Sequence, residues 1–160
     1  MDQSELKNKF VYEPDTGMLR QTAAGRKDYP WRNTGFQGRY LAHTHKGKTI
    51  YLHHAVWLYH HGYIPKMLDH INGNGHDNRI ENLRECDGTQ NQFNTPMKAN
   101  NRSGAKGVVF HKGVVNKPWQ AKISCKGKRI SLGYFATKEQ AAQAYATAAN
   151  KYAGAFARIS

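Results

Sequence analysis

The chain has 160 residues, 39% of them hydrophobic, and carries 24 Lys and Arg against 11 Asp and Glu, a formal net charge of +13. That length holds one ordinary core or two small ones, and no apolar stretch is long enough to span a bilayer as a helix. So basic a chain points to a polyanionic partner, because positive surface attracts phosphates at long range and releases condensed counterions on binding.

The charge is unevenly placed. Residues 1–95 hold 12 Lys and Arg against 10 Asp and Glu, whereas residues 96–160 hold 12 against the single Glu139. Nucleic acid is therefore the first candidate partner, and most of the attraction belongs to the second half. Cys86 and Cys125 have neither the spacing of a zinc knuckle nor the density of a disulfide scaffold. Free thiols in a reducing cytosol are the expectation. The opening MDQSELKNKF lacks the apolar core of a signal peptide, so an intracellular, soluble protein without a membrane partner is expected.

Residues 10–52 read as two β-hairpins. FVYEPDTGMLR bends at Pro14, Asp15 and Gly17, and GRYLAHTHKGKTIYLH alternates on either side of Lys46-Gly47. HHAVWLYHHGYIP reads as a short helix with Ala55, Val56, Leu58 and Tyr59 on its apolar side, stopped by Gly62 and Pro65. Asp69 and His70 follow. The dipeptides Asn72-Gly73 and Asn74-Gly75 predict a chain reversal, with a return strand around Asn82–Arg84. A short helix is predicted from Thr89, as N-cap, to just before Pro96. Asn91 lies 22 positions beyond Asp69, room enough for the loop and return strand to bring both to one cation.

The polar, basic run PMKANNRSGAK marks a linker or arm. KGVVFHK, PWQAKISCKG and KRISLGYF then alternate as three strands of one small antiparallel sheet. TKEQAAQAYATAANKYAG is a helix capped by Thr137 and ended by Gly154. Its face of Ala141, Ala142, Tyr145, Ala148, Ala149 and Tyr152 suits packing on the sheet. Alternation turns Trp119, Ala121, Ile123, Ile130 and Leu132 toward that helix. It turns Val109, His111, Gln120, Lys122, Ser124, Arg129 and Ser131 outward.

The densest chemistry lies in DHINGNGHDNRIENLRECDGTQNQFN. An aspartate binds a hard divalent cation through oxygen, and the adjacent histidine titrates near neutral pH and accepts a proton from water. Metal-assisted phosphodiester hydrolysis needs those two parts. The bland reading, a turn aspartate beside a surface histidine, is weakened by the glycine-rich turn and the downstream asparagines. His53, His54, His60 and His61 invite a zinc site, but histidines at helix ends more often sit solvated or packed. His76 reads as a loop residue.

With these residues in view, residues 10–95 resemble the HNH endonuclease family common in phage and homing enzymes. The likeness is carried by Gly35, Lys46-Gly47-Lys48, His53, Asp69-His70, Asn78-Arg79, Asn82-Leu83-Arg84, and Asn91 with Asn94. Residues 103–159 resemble the DNA-binding domain of plant ethylene-response factors, through Lys106-Gly107-Val108, Trp119, Leu132-Gly133-Tyr134-Phe135, Tyr145 in its alanine-rich helix, and Gly154. Together the two imply an α+β protein: N-terminal β-hairpins with a ββα-metal (His-Me finger) nuclease module, then a three-stranded antiparallel sheet packed on one helix. The implied domains are a nuclease over 1–95, a basic linker over 96–105, and a DNA-binding module over 106–160.

The first resemblance implies His70 as general base, Asn82 as the asparagine that braces the loop, and Asp69 and Asn91 as metal ligands, with Asn94 as second choice. His53 matches the family's first histidine, in the core or supporting the site. Many relatives have a histidine at Asn91's place. An amide is a weaker ligand than imidazole for soft metals, so Mg²⁺ or Mn²⁺ is expected before zinc. Arg79 and Arg84 either clamp phosphates or pair with Asp77, Glu81 or Glu85. The second resemblance implies double-stranded DNA as partner, with Lys106, His111, Gln120, Lys122 and Arg129 as contacts. Val109, Ser124 and Ser131 stand where plant domains place Arg or Trp, so modest sequence specificity is expected. The expected function is a metal-dependent DNA endonuclease without a small-molecule cofactor; the alternative is a catalytically inactive DNA-binding regulator. Oligomeric state and target site are not encoded legibly.

Overall fold

The computed structural model describes residues 1–22, 30–34, 38–45 and 47–159. Gly35 and Lys46 lie outside the described residues. The fold is α+β and divides into two compact units, Met1–Cys86 and Asp87–Ser160.

The first unit opens with α1 (Gln3–Lys9), capped by Asp2, whose carboxylate accepts from the Glu5 backbone N–H at 2.8 Å. This helix is absent from the sequence reading. It is seven residues long with Leu6 as its one buried residue, so it carries no apolar period to read. The chain runs straight into β1 (Phe10–Glu13), which pairs antiparallel with β2 (Met18–Gln21). A second sheet orders β3 (Arg32–Thr34), β4 (Tyr40–His45) and β5 (Lys48–Tyr51) in sequence, all antiparallel.

Helix α2 (Leu52–His61) follows directly and ends at Gly62, whose left-handed φ of 80° lets its N–H reach the Leu58 carbonyl. Leu52, Ala55, Val56, Trp57 and Leu58 make α2 the centre of the core, against Leu6, Phe10, Leu19, Trp31 and Leu83. The buried Trp31 indole N–H donates to the Leu19 carbonyl at 2.7 Å, so no polar group is stranded there. Last comes a short antiparallel ribbon, β6 (Leu68–His70) and β7 (Leu83–Glu85), in which Asp69 faces Arg84 and His70 faces Leu83. Leu83 in the core, with Leu68 and Ile80 packed against it, fixes this ribbon to α2.

The second unit begins with α3 (Gly88–Asn94). Its cap is Asp87 rather than Thr89, because Asp87 and Gln90 form a reciprocal capping box. The Asp87 carboxylate accepts from the Gln90 N–H and the Gln90 side chain accepts from the Asp87 N–H, both at 2.8 Å. Although the sequence reading groups α3 with the preceding residues, its Phe93 joins a core with Ile123, Tyr145, Ala148 and Ala149.

A three-stranded antiparallel sheet has β9 (Trp119–Cys125) between β10 (Lys128–Phe135) and β8 (Val108–Phe110). Lys126 and Gly127, at φ of 49° and 75°, make the tight turn from β9 to β10. Helix α4 (Lys138–Ala153), capped by Thr137 accepting from Gln140 N–H, lays Ala141, Tyr145, Ala148 and Ala149 on the sheet. Tyr152, expected on the same face, is exposed. Alanines let the helix approach closely, and Ala121 and Val108 fill the contact with Ala141.

Lys106 binds within this unit. Its ammonium donates to the carbonyls of Phe93 (2.8 Å), Thr95 (2.5 Å) and Arg158 (2.9 Å), joining the end of α3 and the C-terminal tail to the sheet. An ammonium has three protons, so a residue expected on DNA is engaged as an internal staple. Lys106→Met should lower the stability of this unit by about 1.5–3 kcal/mol, the usual worth of hydrogen bonds to a charged group. A fall in the urea midpoint of the variant checks this.

Candidate active site

The site is built on the loop joining β6 to β7. Asn82, buried at the end of a 3-10 turn over Ile80–Asn82, spans that loop with its side chain. Its Oδ1 accepts from the Asn72 backbone N–H at 3.0 Å, and its Nδ2 donates to Asn72 Oδ1 at 3.1 Å and to the Asp77 carbonyl at 2.7 Å. Asn72 in turn donates to the Asp77 carboxylate at 2.8 Å and accepts from the Asn74 N–H at 2.8 Å. Asn72, which sequence reads as a turn former, and Asn82 thus belong to one network, in which each of these two amides is both donor and acceptor.

Two glycines allow the loop to sit where it does. Gly17, at φ 69° in the β1–β2 turn, lies so close to the Asn78–Arg79 backbone that any Cβ would run into it. A Cβ at Gly75 would strike the Arg39 carbonyl and the Tyr40 ring. The Tyr12 hydroxyl, from β1, accepts from the Ile80 N–H at 2.9 Å. The first hairpin therefore presses on residues 78–80.

His70 is buried, 6% exposed, at the end of β6. Its Nε2 lies 3.2 Å from Asn78 Oδ1. The Asn78 amide nitrogen donates to the His76 carbonyl at 3.0 Å, so the group it turns to His70 is the acceptor oxygen. His70 Nε2 accordingly carries the proton, and Nδ1 is the basic nitrogen, an assignment set by the hydrogen-bond network. Burial pushes the imidazole below its usual 6.5, opposed by Asn78 and by the charges of Asp69 and Asp77. The Tyr40 ring stacks at 6.0 Å and the His53 ring meets His70 edge-on at 5.3 Å. His53, also buried, is pushed down to about 3 by burial and by its neighbours His54 and His70, and its Nδ1 has no hydrogen-bond partner among the described residues.

Asp69 is buried beside Arg84, which donates from Nε at 3.0 Å and Nη2 at 2.9 Å to its Oδ2. Arg79 grips Asp77 through Nε and Nη2, both at 2.8 Å, and reaches Glu81 at 3.4 Å, which holds the Asp77 carboxyl down at about 2. Both arginines are thus paired with carboxylates, Arg84 with Asp69 rather than the neighbours that sequence suggests. Asp69, His70, Asn82 and Arg84 come together on one ribbon and loop. Asn91, exposed, and Asn94, buried, lie on α3 in the second unit.

Among the described residues no three His, Cys, Asp or Glu side chains gather as a metal cluster. Asp69, in the first unit, offers a carboxylate oxygen, a donor that suits a hard cation, and the neutral His70 adds no competing charge. In the second unit His111, Gln120 and Ser131 are linked across the outward face, His111 Nε2 lying 3.0 Å from Gln120 Oε1 and Gln120 Nε2 donating to Ser131 at 3.3 Å. Lys122 and Arg129 are exposed. Asn78, Tyr40 and Arg84's bond to Asp69 have no role in the sequence-based expectations; Asn78 appears there only among the residues that carry the family resemblance.

With the ribbon, loop and buried histidine described, residues 50–93 match the HNH endonuclease family. Protein 3.8 of Escherichia phage T7 is 32% identical over 109 residues, an alignment spanning 67% of this chain and 88% of the phage protein. The chain belongs to the family of that phage protein, and its residues 50–93 form an HNH endonuclease domain. No solved structure matches the chain. Among the described residues no helix is long and apolar enough to cross a membrane.

The buried histidines make stability depend on pH. His53 resists protonation when folded but takes a proton near 6.5 when unfolded. Its contribution is therefore complete above about pH 6.5 and is lost as pH falls toward 3; His70 acts in the same direction. Urea midpoints should decline between about pH 6.5 and 4.5, above the range where Asp77 titrates, and His53→Phe should flatten that decline. An unchanged slope in the variant contradicts the assignment.

Proposed function

We propose that this protein is a divalent-metal-dependent DNA endonuclease in which the first unit hydrolyses phosphodiester bonds and the basic second unit holds duplex DNA. The observation carrying this reading is the buried His70, held by Asn78 in the tautomer that leaves Nδ1 basic, one residue from a buried carboxylate.

In the proposed reaction His70 Nδ1 takes a proton from a water in line with the scissile phosphorus. The resulting hydroxide oxygen bonds to phosphorus as the bond to the 3′ oxygen breaks, and the leaving oxygen takes its proton from solvent. No covalent enzyme intermediate is needed. Asp69 would help to hold Mg²⁺ or Mn²⁺, and the ion would supply positive charge against that of the reacting phosphate. Arg84 fixes the rotation of the Asp69 carboxylate. Asn82 keeps the loop, and with it the imidazole, in place.

The resemblance of residues 103–159 to ethylene-response-factor domains supports duplex DNA as the second unit's partner, with His111, Gln120, Lys122 and Arg129 on the outward face of the sheet. The one-sided charge supports the same reading: residues 96–160 carry 12 Lys and Arg against Glu139 alone. Two free cysteines suit a reducing compartment such as a host cell's cytoplasm.

Supercoiled plasmid with Mg²⁺ is the test. Wild type should convert it to nicked or linear DNA, chelation should abolish the conversion, and His70→Ala should slow it by roughly 10²- to 10⁴-fold, the worth of a general base, while leaving DNA binding intact. Intact binding with no metal-dependent cleavage by wild type would instead identify a DNA-binding regulator on an inactive nuclease fold.

A further inference from the structure

The second unit contains a groove that meets the outward face at Lys122 and Arg129 and whose remaining lining the duplex-binding reading does not use. β8 ends after three residues, leaving the outer edge of β9 without a strand neighbour beyond Lys122. The segment after α3 runs there instead, joined by the Lys122 N–H to the Gly107 carbonyl at 2.8 Å and by the Lys106 staple. Between this segment and the sheet lies a groove of about 1130 Å³. Phe93, Ile123 and Tyr145 line its apolar depth, and Lys98, Arg102, Lys122 and Arg129 line it with positive charge; none of its lining residues is acidic. None of those four cations forms an ion pair among the described residues, unlike Arg20, Arg79 and Arg84 of the first unit. Phe110, 52% exposed, also lines the groove, its ring 4.8 Å from that of Trp119.

Cations without acidic neighbours select a polyanion. An exposed aromatic ring in a recess selects a planar apolar surface. Single-stranded nucleic acid offers both, since phosphates follow the charged rim while an unstacked base lies on the ring. A duplex keeps its base faces stacked inside and presents only edges and phosphates.

We propose that this groove binds a single strand of DNA, with phosphates on Lys98 and Arg102 and a base stacked on Phe110. The proposal rests on the nucleic-acid reading of the second unit and adds to it a strand separate from the duplex on the outward face.

Fluorescence anisotropy tests it on the full chain, in the His70→Ala background with chelator, using labelled oligothymidylate and a mixed-sequence duplex of equal length. Phe110→Ala should weaken oligothymidylate binding by roughly tenfold and leave the duplex unaffected, and Phe110→Trp should keep the binding with quenching of the new indole. Lys98→Glu with Arg102→Glu should weaken the single strand and reduce its salt slope by about 0.7 for each phosphate no longer neutralised. Equal oligothymidylate affinity in the parent and Phe110→Ala overturns the proposal. So does an equal loss for duplex and single strand, or polyglutamate binding as tightly as oligothymidylate. Plasmid cleavage is read separately: metal-dependent nicking without oligothymidylate binding overturns the groove assignment alone. Oligothymidylate binding that fails in Phe110→Ala supports the groove even where plasmid is uncut.

Discussion

The side chain of Asn82 holds together a loop with little regular structure of its own. It bonds to the backbone of Asn72 and of Asp77 and to the Asn72 side chain, near the two ends of the glycine-rich stretch. The strands it connects are three residues each, and a two-stranded ribbon of that length is marginal in water. Two things give it a fixed place: Leu83 buried against α2, and a polar network whose buried members are satisfied. Buried amides left unpaired cost about 1–3 kcal/mol each, so the loop has one arrangement that meets its donors and acceptors. His70 takes its orientation from that arrangement through Asn78.

Much of this was legible in the chain itself. The Asn-Gly dipeptides mark the reversal, alternation marks β9 and β10, and alanines between Thr137 and Gly154 mark α4. What escaped depends on partners distant in sequence. Arg84 reaches Asp69 because the register sets them opposite, and that register follows from the loop's geometry, which composition does not state. Asn78 looks like any turn asparagine until its oxygen is seen at His70. Sequence points to Thr89 as the α3 cap, but Gln90 selects Asp87 by completing a capping box with it. Lys106 reads as one more surface cation, and only three converging carbonyls show that it is structural.

The two units treat charge differently. In the first, Arg20, Arg79 and Arg84 pair with Glu13, Asp77 and Asp69, and the buried histidines are held neutral by desolvation. A neutral imidazole is what the proposed proton abstraction needs. In the second, Asp87 and Glu139 are the only acidic residues, so its cations have few carboxylates to pair with. Arg20–Glu13 and Arg79–Asp77 are partly exposed and contribute little to stability, whereas Arg84–Asp69 is buried, so removing either partner would strand a charge.

In the proposed mechanism the amide of Asn82, by fixing the loop, sets the position of His70. Asn82→Asp tests it most directly: the replacement keeps shape and the acceptor for the Asn72 N–H but removes both donations from Nδ2. The cleavage rate on plasmid should fall by roughly a hundredfold, the cost of misplacing a reacting group by about 1 Å, with DNA affinity unchanged. An unaltered rate in the aspartate variant would mean that His70 is positioned by something other than this loop.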